Sequence, residues 1–180
     1  MIRFAVMRFL VLLLFILFLV SGKGRIWGQT GELRITEFMA INESTLADKE
    51  GDYSDWIEIF NPSSVSVYLR GWSLTDDLRE PDKWKFPSCF IKSGEYFLVF
   101  ASGKNRVIDG NEIHTNFKLS GSGEVLALIK PDGTVSSIYS GGYPAQKPDI
   151  SYGFLQSSDN QVVDKVRLFI ILEIRFICSP

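Results

Sequence analysis

Carboxylates crowd two short stretches of this chain. Asp48-Lys49-Glu50-Gly51-Asp52-Tyr53-Ser54-Asp55 sets four acids within eight residues, and Asp76-Asp77 is followed by Glu80 and Asp82. Oxygen-rich loops of this kind are what calcium selects, but the spacing does not follow the twelve-residue calcium loop and no Glu stands at its closing position. The expectation is a solvated acidic loop and a charged turn, with Asp48, Glu50, Asp52, Asp55, Asp76 and Asp77 as candidate contacts for a partner and no metal.

His114 is the one histidine, in EIHTNFKLSGSGE. An imidazole needs a hydroxyl nucleophile within reach to catalyse acyl transfer. The serines nearest in sequence, Ser120-Gly121-Ser122-Gly123, have neither the order of a G-x-S-x-G elbow nor its strand-to-helix setting. His114 is therefore expected to be hydrogen-bonded structure. Glu37 and Glu58 each stand among apolar neighbours; a paired-carboxylate hydrolase would need them to converge in a cleft, and the alternative is that each accepts bonds from backbone N–H groups or a hydroxyl. Asn42-Glu43-Ser44 fits a glycosylation sequon, whereas Asn61-Pro62-Ser63 is blocked by its proline. Cys89 and Cys178 could pair in an exported chain, though two unpaired buried thiols are the expectation. Neither has a second Cys or His at metal spacing, so no zinc site and no cofactor are expected.

The elements carrying these residues read as strands. From Leu33 onward the apolar period is near two, giving candidates at 33–39, 56–60, 65–69, 72–74, 96–101, 125–130 and 134–139, and a weaker one near 151–155. Lys130-Pro131-Asp132-Gly133-Thr134 between two apolar runs predicts a hairpin, and Asn61-Pro62-Ser63-Ser64 a turn. Seven or eight short strands predict an all-β antiparallel sandwich. Within 56–60, Trp56, Glu58 and Phe60 share one face and Ile57 and Ile59 the other, so that strand should lie centrally. Trp56, Trp72 and Trp84 are expected to be structural, filling the space between the layers, with Glu58 and His114 as structural polar residues.

Of 180 residues, 46% are hydrophobic and 22% charged, which supports one packed domain and excludes global disorder. Arg3 and Arg8 followed by the apolar run Phe9–Val20 read as a secretory signal peptide over residues 1–24, with residues 25–30 as a linker. Left uncleaved, that run would be the chain's one membrane contact. Cleavage removes three of the 19 basic groups (Arg3, Arg8 and Lys23) and no acid, leaving 16 against 21. An acidic chain without Lys/Arg clusters repels phosphate backbones, which argues against nucleic acid.

Taken in order, ITEFMAIN, DWIEIFNPSSVSVYLRGWSLTDD, KWKFP, SGEYFLVFASGK, HTNFKLSGSGEVLALIKPDGTV and SYGF resemble the lamin-tail domain family over residues 31–160. The resemblance implies an immunoglobulin-like β-sandwich that is a non-enzymatic interaction module, here in a bacterial secreted form, with Asn61, Gly71, Gly94, Gly123 and Glu124 among the turn and loop anchors. It implies no catalytic set. A secreted or cell-surface module binding a protein or cell-envelope component is the reading that follows. The alternatives are an accessory fragment of a larger secreted enzyme, of hydrolase or spore-coat kinase-like type, and a calcium-dependent carbohydrate-binding module. Residues 161–180 depart from the family pattern and read either as one more strand, with Leu172–Phe176 alternating, or as an aberrant terminus of a truncated frame.

Overall fold

The computed structural model describes residues 32–154, 162–164 and 177–178, all within the unit Gly31–Pro180. The signal peptide expected at 1–24, the linker at 25–30, the alternation at 172–176 and most of the tail at 161–180 lie outside the described residues.

Fourteen strands and no helix make up the described chain: β1 (Arg34–Met39), β2 (Asp55–Phe60), β3 (Val67–Tyr68), β4 (Ser73–Thr75), β5 (Trp84–Lys85), β6 (Cys89–Ile91), β7 (Tyr96–Ala101), β8 (Arg106–Ile108), β9 (Glu112–His114), β10 (Leu126–Ile129), β11 (Val135–Tyr139), β12 (Tyr152–Phe154), β13 (Val162–Asp164) and β14 (Ile177–Cys178). One layer is a seven-stranded sheet ordered β13-β12-β1-β2-β7-β9-β8. Opposite it lie a four-stranded sheet, β11-β10-β4-β5, and a three-stranded sheet, β14-β6-β3, so the second layer is divided where a single sheet was expected. The ladders are antiparallel apart from β7–β9, which run parallel with Phe100 opposite His114.

The predicted hairpin joins β10 to β11. Lys130 N–H donates to the Thr134 carbonyl at 2.8 Å, Gly133 takes φ +81°, and the Asp132 carboxylate accepts the Thr134 N–H at 2.9 Å. Asn61 closes the loop after β2: its fully buried side-chain amide donates to the carbonyls of Val65, Ile91 and Lys92, which ties that loop to the end of β6. A short polar side chain does here what a ladder cannot, since loop carbonyls turned inward must find donors.

Alternation along the central strands sends side chains to two different cores. Ile35, Phe38, Ile57, Ile59, Phe97 and Val99 enter the main core with Trp72, Leu74, Trp84, Leu126 and Leu128 from the opposite layer. Trp56 does not. It is fully buried, but on the outer face of the seven-stranded sheet, in a second cluster with Met39, Leu98 and Phe100 that Leu46 packs against. The expectation that all three indoles lie between the layers is corrected for Trp56: its neighbours Ile57 and Ile59 already face inward, and a period of two leaves Trp56 no other side.

Candidate functional site

The densest polar cluster forms on the outer face at the β8–β9 edge. Asp109 and Gly110 both take positive φ, +49° and +69°, in the tight connection that folds β9 back on β8 with Ile108 opposite Glu112. An Asp-Gly pair enters that backbone region at little strain. On β9, Ile113 points into the main core, so Glu112 and His114 stand together on the other face. The His114 ring stacks on Phe100, centroids 5.3 Å apart and planes 18° from parallel.

Both imidazole nitrogens are engaged. Ser102 Oγ lies 2.9 Å from Nδ1 and Glu112 Oε1 lies 3.0 Å from Nε2. Ser102 Oγ also accepts the Lys104 N–H at 3.2 Å, and the Glu112 carboxylate is the acceptor at Nε2. Glu112 further accepts the Lys49 N–H, 3.0 Å from Oε2. Sequence reasoning missed Ser102 and Glu112. The Glu-x-His spacing on a strand was the available clue, since residues two apart share a face.

The acidic loop folds down onto this edge. Asp48 accepts the N–H groups of Glu50 and Asp52, each at 3.0 Å, and its side chain is 0% exposed. Lys104 binds Asp48, and its ammonium also lies 2.8 Å from both Glu50 and Asp52; Arg106 pairs with Glu50 as well. Burial raises the Asp48 carboxyl, but the Lys104 bond and the two backbone donors outweigh it and hold that carboxyl below its ordinary value. For Lys104 burial lowers the ammonium, and three carboxylates overcome it and hold it above. Asp48 is thus buried and paired where a solvated loop was expected.

The other candidates lie apart from this group. Asp55, at the start of β2, accepts the Leu119 N–H at 3.1 Å, and burial pushes its carboxyl up to about 6 against that bond. Asp76 pairs with Lys83 at 2.5 Å and Asp77 with Arg79 at 2.5 Å. Glu37 and Glu58 are register partners across β1–β2, one bulge after Ile35, each holding a hydroxyl: Thr36 donates to Glu58 at 2.6 Å, and Ser151 donates to Glu37. They do not meet His114. Its row runs through Phe100, Trp56 and Met39, one pleat from the row of Leu98, Glu58 and Glu37, with apolar side chains between. A pocket of about 290 Å³ lies elsewhere, lined by Pro144, Gln146, Lys147, Ile150, Ser151 and Tyr152. The sequon Asn42 is buried and spends its amide on the Leu46 and Ser54 carbonyls at 2.7 and 2.8 Å, so it offers no nitrogen for glycosylation.

Among the described residues, two groups carry ligand-type atoms within 4.8 Å of one another: Asp48, Glu112 and His114, and Asp48, Glu50 and Asp52. In the second, the Lys104 ammonium holds the position a cation would take. In the first, Nε2–H and the Lys49 N–H already satisfy Glu112. A serine–imidazole–carboxylate chain is a nucleophile relay in form, yet Ser102, His114 and Glu112 are all buried, so the relay has no face for a substrate. As it stands the cluster bonds a loop to a sheet edge.

The family model described as Lamin Tail Domain matches residues 28–144. No curated protein matches the chain.

Proposed function

The chain belongs to the lamin tail domain family, immunoglobulin-like domains that are generally non-enzymatic interaction modules, and from that premise we propose that it acts outside the cell or on its surface, binding a protein or cell-envelope component. The observation that carries this reading is the closed state of its most reactive-looking side chains. Ser102, His114 and Glu112 are buried and mutually bonded, and Asp48 is sealed by Lys104, so chemistry has no opening there. What faces solvent is a rigid rim in which Glu50 and Asp52 keep 41% and 64% of their side-chain surface beside Arg106. Loops held on a rigid sandwich are the usual recognition surface of such folds.

The test immobilises the full chain, exposes it to cell-envelope extract, and repeats the capture with Glu50→Gln/Asp52→Asn/Asp77→Asn. Retention of one component by the native chain and its loss with the triple variant is the expected result. Equal retention by both removes the acidic rim from the interaction, and turnover of ester or glycoside substrates would overturn the non-catalytic reading. Millimolar calcium should leave Tm unchanged, because the Lys104 ammonium already occupies the position between the carboxylates; a rise would favour the calcium-dependent alternative.

A further inference from the structure

The strand β14 brings the second cysteine of the chain back to the first. It pairs antiparallel with β6, Ile177 opposite Phe90 and Cys178 opposite Cys89. On its other edge β6 pairs with β3, and there the Cys89 carbonyl accepts the Leu69 N–H at 2.8 Å. In an antiparallel ladder the N–H and C=O of one residue point to the same neighbouring strand. Those of Cys89 point to β3, so toward β14 Cys89 occupies a non-hydrogen-bonded position. That is the closer of the two kinds of pair, with Cα atoms about 4.5 Å apart and opposing residues on one face of the sheet. A disulfide requires a Cα separation of roughly 4.4–6.8 Å. The cross-strand register therefore meets the backbone condition for a bridge, while in the structure the Cys89 thiol donates to the Pro87 carbonyl at 3.4 Å.

We infer that Cys89 and Cys178 form a cross-strand disulfide that fastens β14 to β6. This goes beyond the proposed surface role and does not depend on it. Two S–H bonds break and one S–S bond forms; the two electrons and two protons pass to a disulfide oxidant, oxidised glutathione or an oxidoreductase disulfide, which leaves as two thiols. Cys89 is fully buried in the main core, so once formed the bond is shielded from reductant. A two-residue strand is too short to hold its place by two ladder positions alone, and a covalent tie at its end supplies what the ladder lacks. Such a bond persists where the surroundings are oxidising.

The experiment uses the full chain equilibrated with reduced and oxidised glutathione, quenched in acid and digested without reductant. Mass spectrometry should find the Cys89 peptide joined to the Cys178 peptide within one chain, with the intact protein lighter by two hydrogens. No thiol should react in denaturant until reductant is added. Because the bridge closes a long loop, reduction should lower Tm by roughly 10 °C. Cys178→Ser should melt with the reduced native chain and show no dependence on redox state. Two thiols persisting in excess oxidised glutathione, or bonds only between separate chains, would overturn the inference. Peptide linkage is read on the native chain and decides the matter even if the variant does not fold.

Discussion

Lys104→Met removes the ammonium that three carboxylates share and leaves their backbone unchanged. Asp48 is the carboxylate that matters, because its side chain is fully covered while Glu50 and Asp52 reach water. Stripping one partner from a buried pair typically costs about 3–5 kcal/mol. Here Asp48 keeps the Glu50 and Asp52 N–H groups, and Lys104 is itself 19% exposed, so the expected loss is about 2–3 kcal/mol, or roughly 5–10 °C in Tm for a domain of this size. The folded Asp48 carboxyl lies below its ordinary 3.8, so its contribution is present above that value and is lost as pH falls through the folded one. Without Lys104 the buried charge is the liability, and protonation relieves it. The gap between the native chain and Lys104→Met should therefore be widest at neutral pH and narrower at pH 4, closing only once the native Asp48 is itself protonated. Adding Asp48→Asn retains an oxygen for the loop N–H groups and removes the stranded charge, so the double variant should lose about 1–2 kcal/mol less than the two single losses together. Urea unfolding at pH 7 and pH 4 measures all four proteins. Additive losses that do not change with pH would refute the ion-pair account and reduce Lys104 to a packing residue.

Asp55 has the opposite sign. Its folded carboxyl, raised to about 6 by burial, binds a proton more tightly than the unfolded chain does, so the domain gains stability as pH falls from about 6 to 3.8. Asp55→Asn removes that dependence; relative to the native chain it should improve by about 1 kcal/mol between pH 4 and pH 7.5, a figure discounted for the residue's partial exposure and read by urea unfolding. Gly123→Ala should cost about 3 kcal/mol or more, because φ is +98° and an added Cβ would stand 2.3 Å from the Tyr143 carbonyl oxygen. Gly133→Ala, at φ +81° with open space around it, is the control and should cost only about 1 kcal/mol in the same measurement.

The runs at β1, β2, β7, β10 and β11 were legible because each sets four to six residues rich in β-branched, aromatic or aliphatic side chains between turn signals, and the Pro-Asp-Gly turn fixed the hairpin between the last two. The strands β5, β6, β8, β9, β13 and β14 were not found. Two or three residues cannot display a period, and their backbone is held by neighbours distant in sequence; Asp109-Gly110 was the one local sign of β8–β9. That Trp56 would be buried followed from its size and setting. Which core it entered depended on the inward pair Ile57 and Ile59 and on the second apolar patch of Met39, Leu98 and Phe100.

Sequence alone determined the strand-rich class, the family motifs and the presence of acidic loops, since alternation, turn chemistry and composition are properties of neighbouring residues. Tertiary structure decided what those acids do. Lys104 lies 56 residues from Asp48 and 54 from Glu50, and Ser102 lies 12 residues from His114. The sheet order that puts β9 beside β7 brings them together, and with the carboxylates paired and the imidazole enclosed, an apparent reactive centre becomes a fastening between a loop and the edge of a sheet.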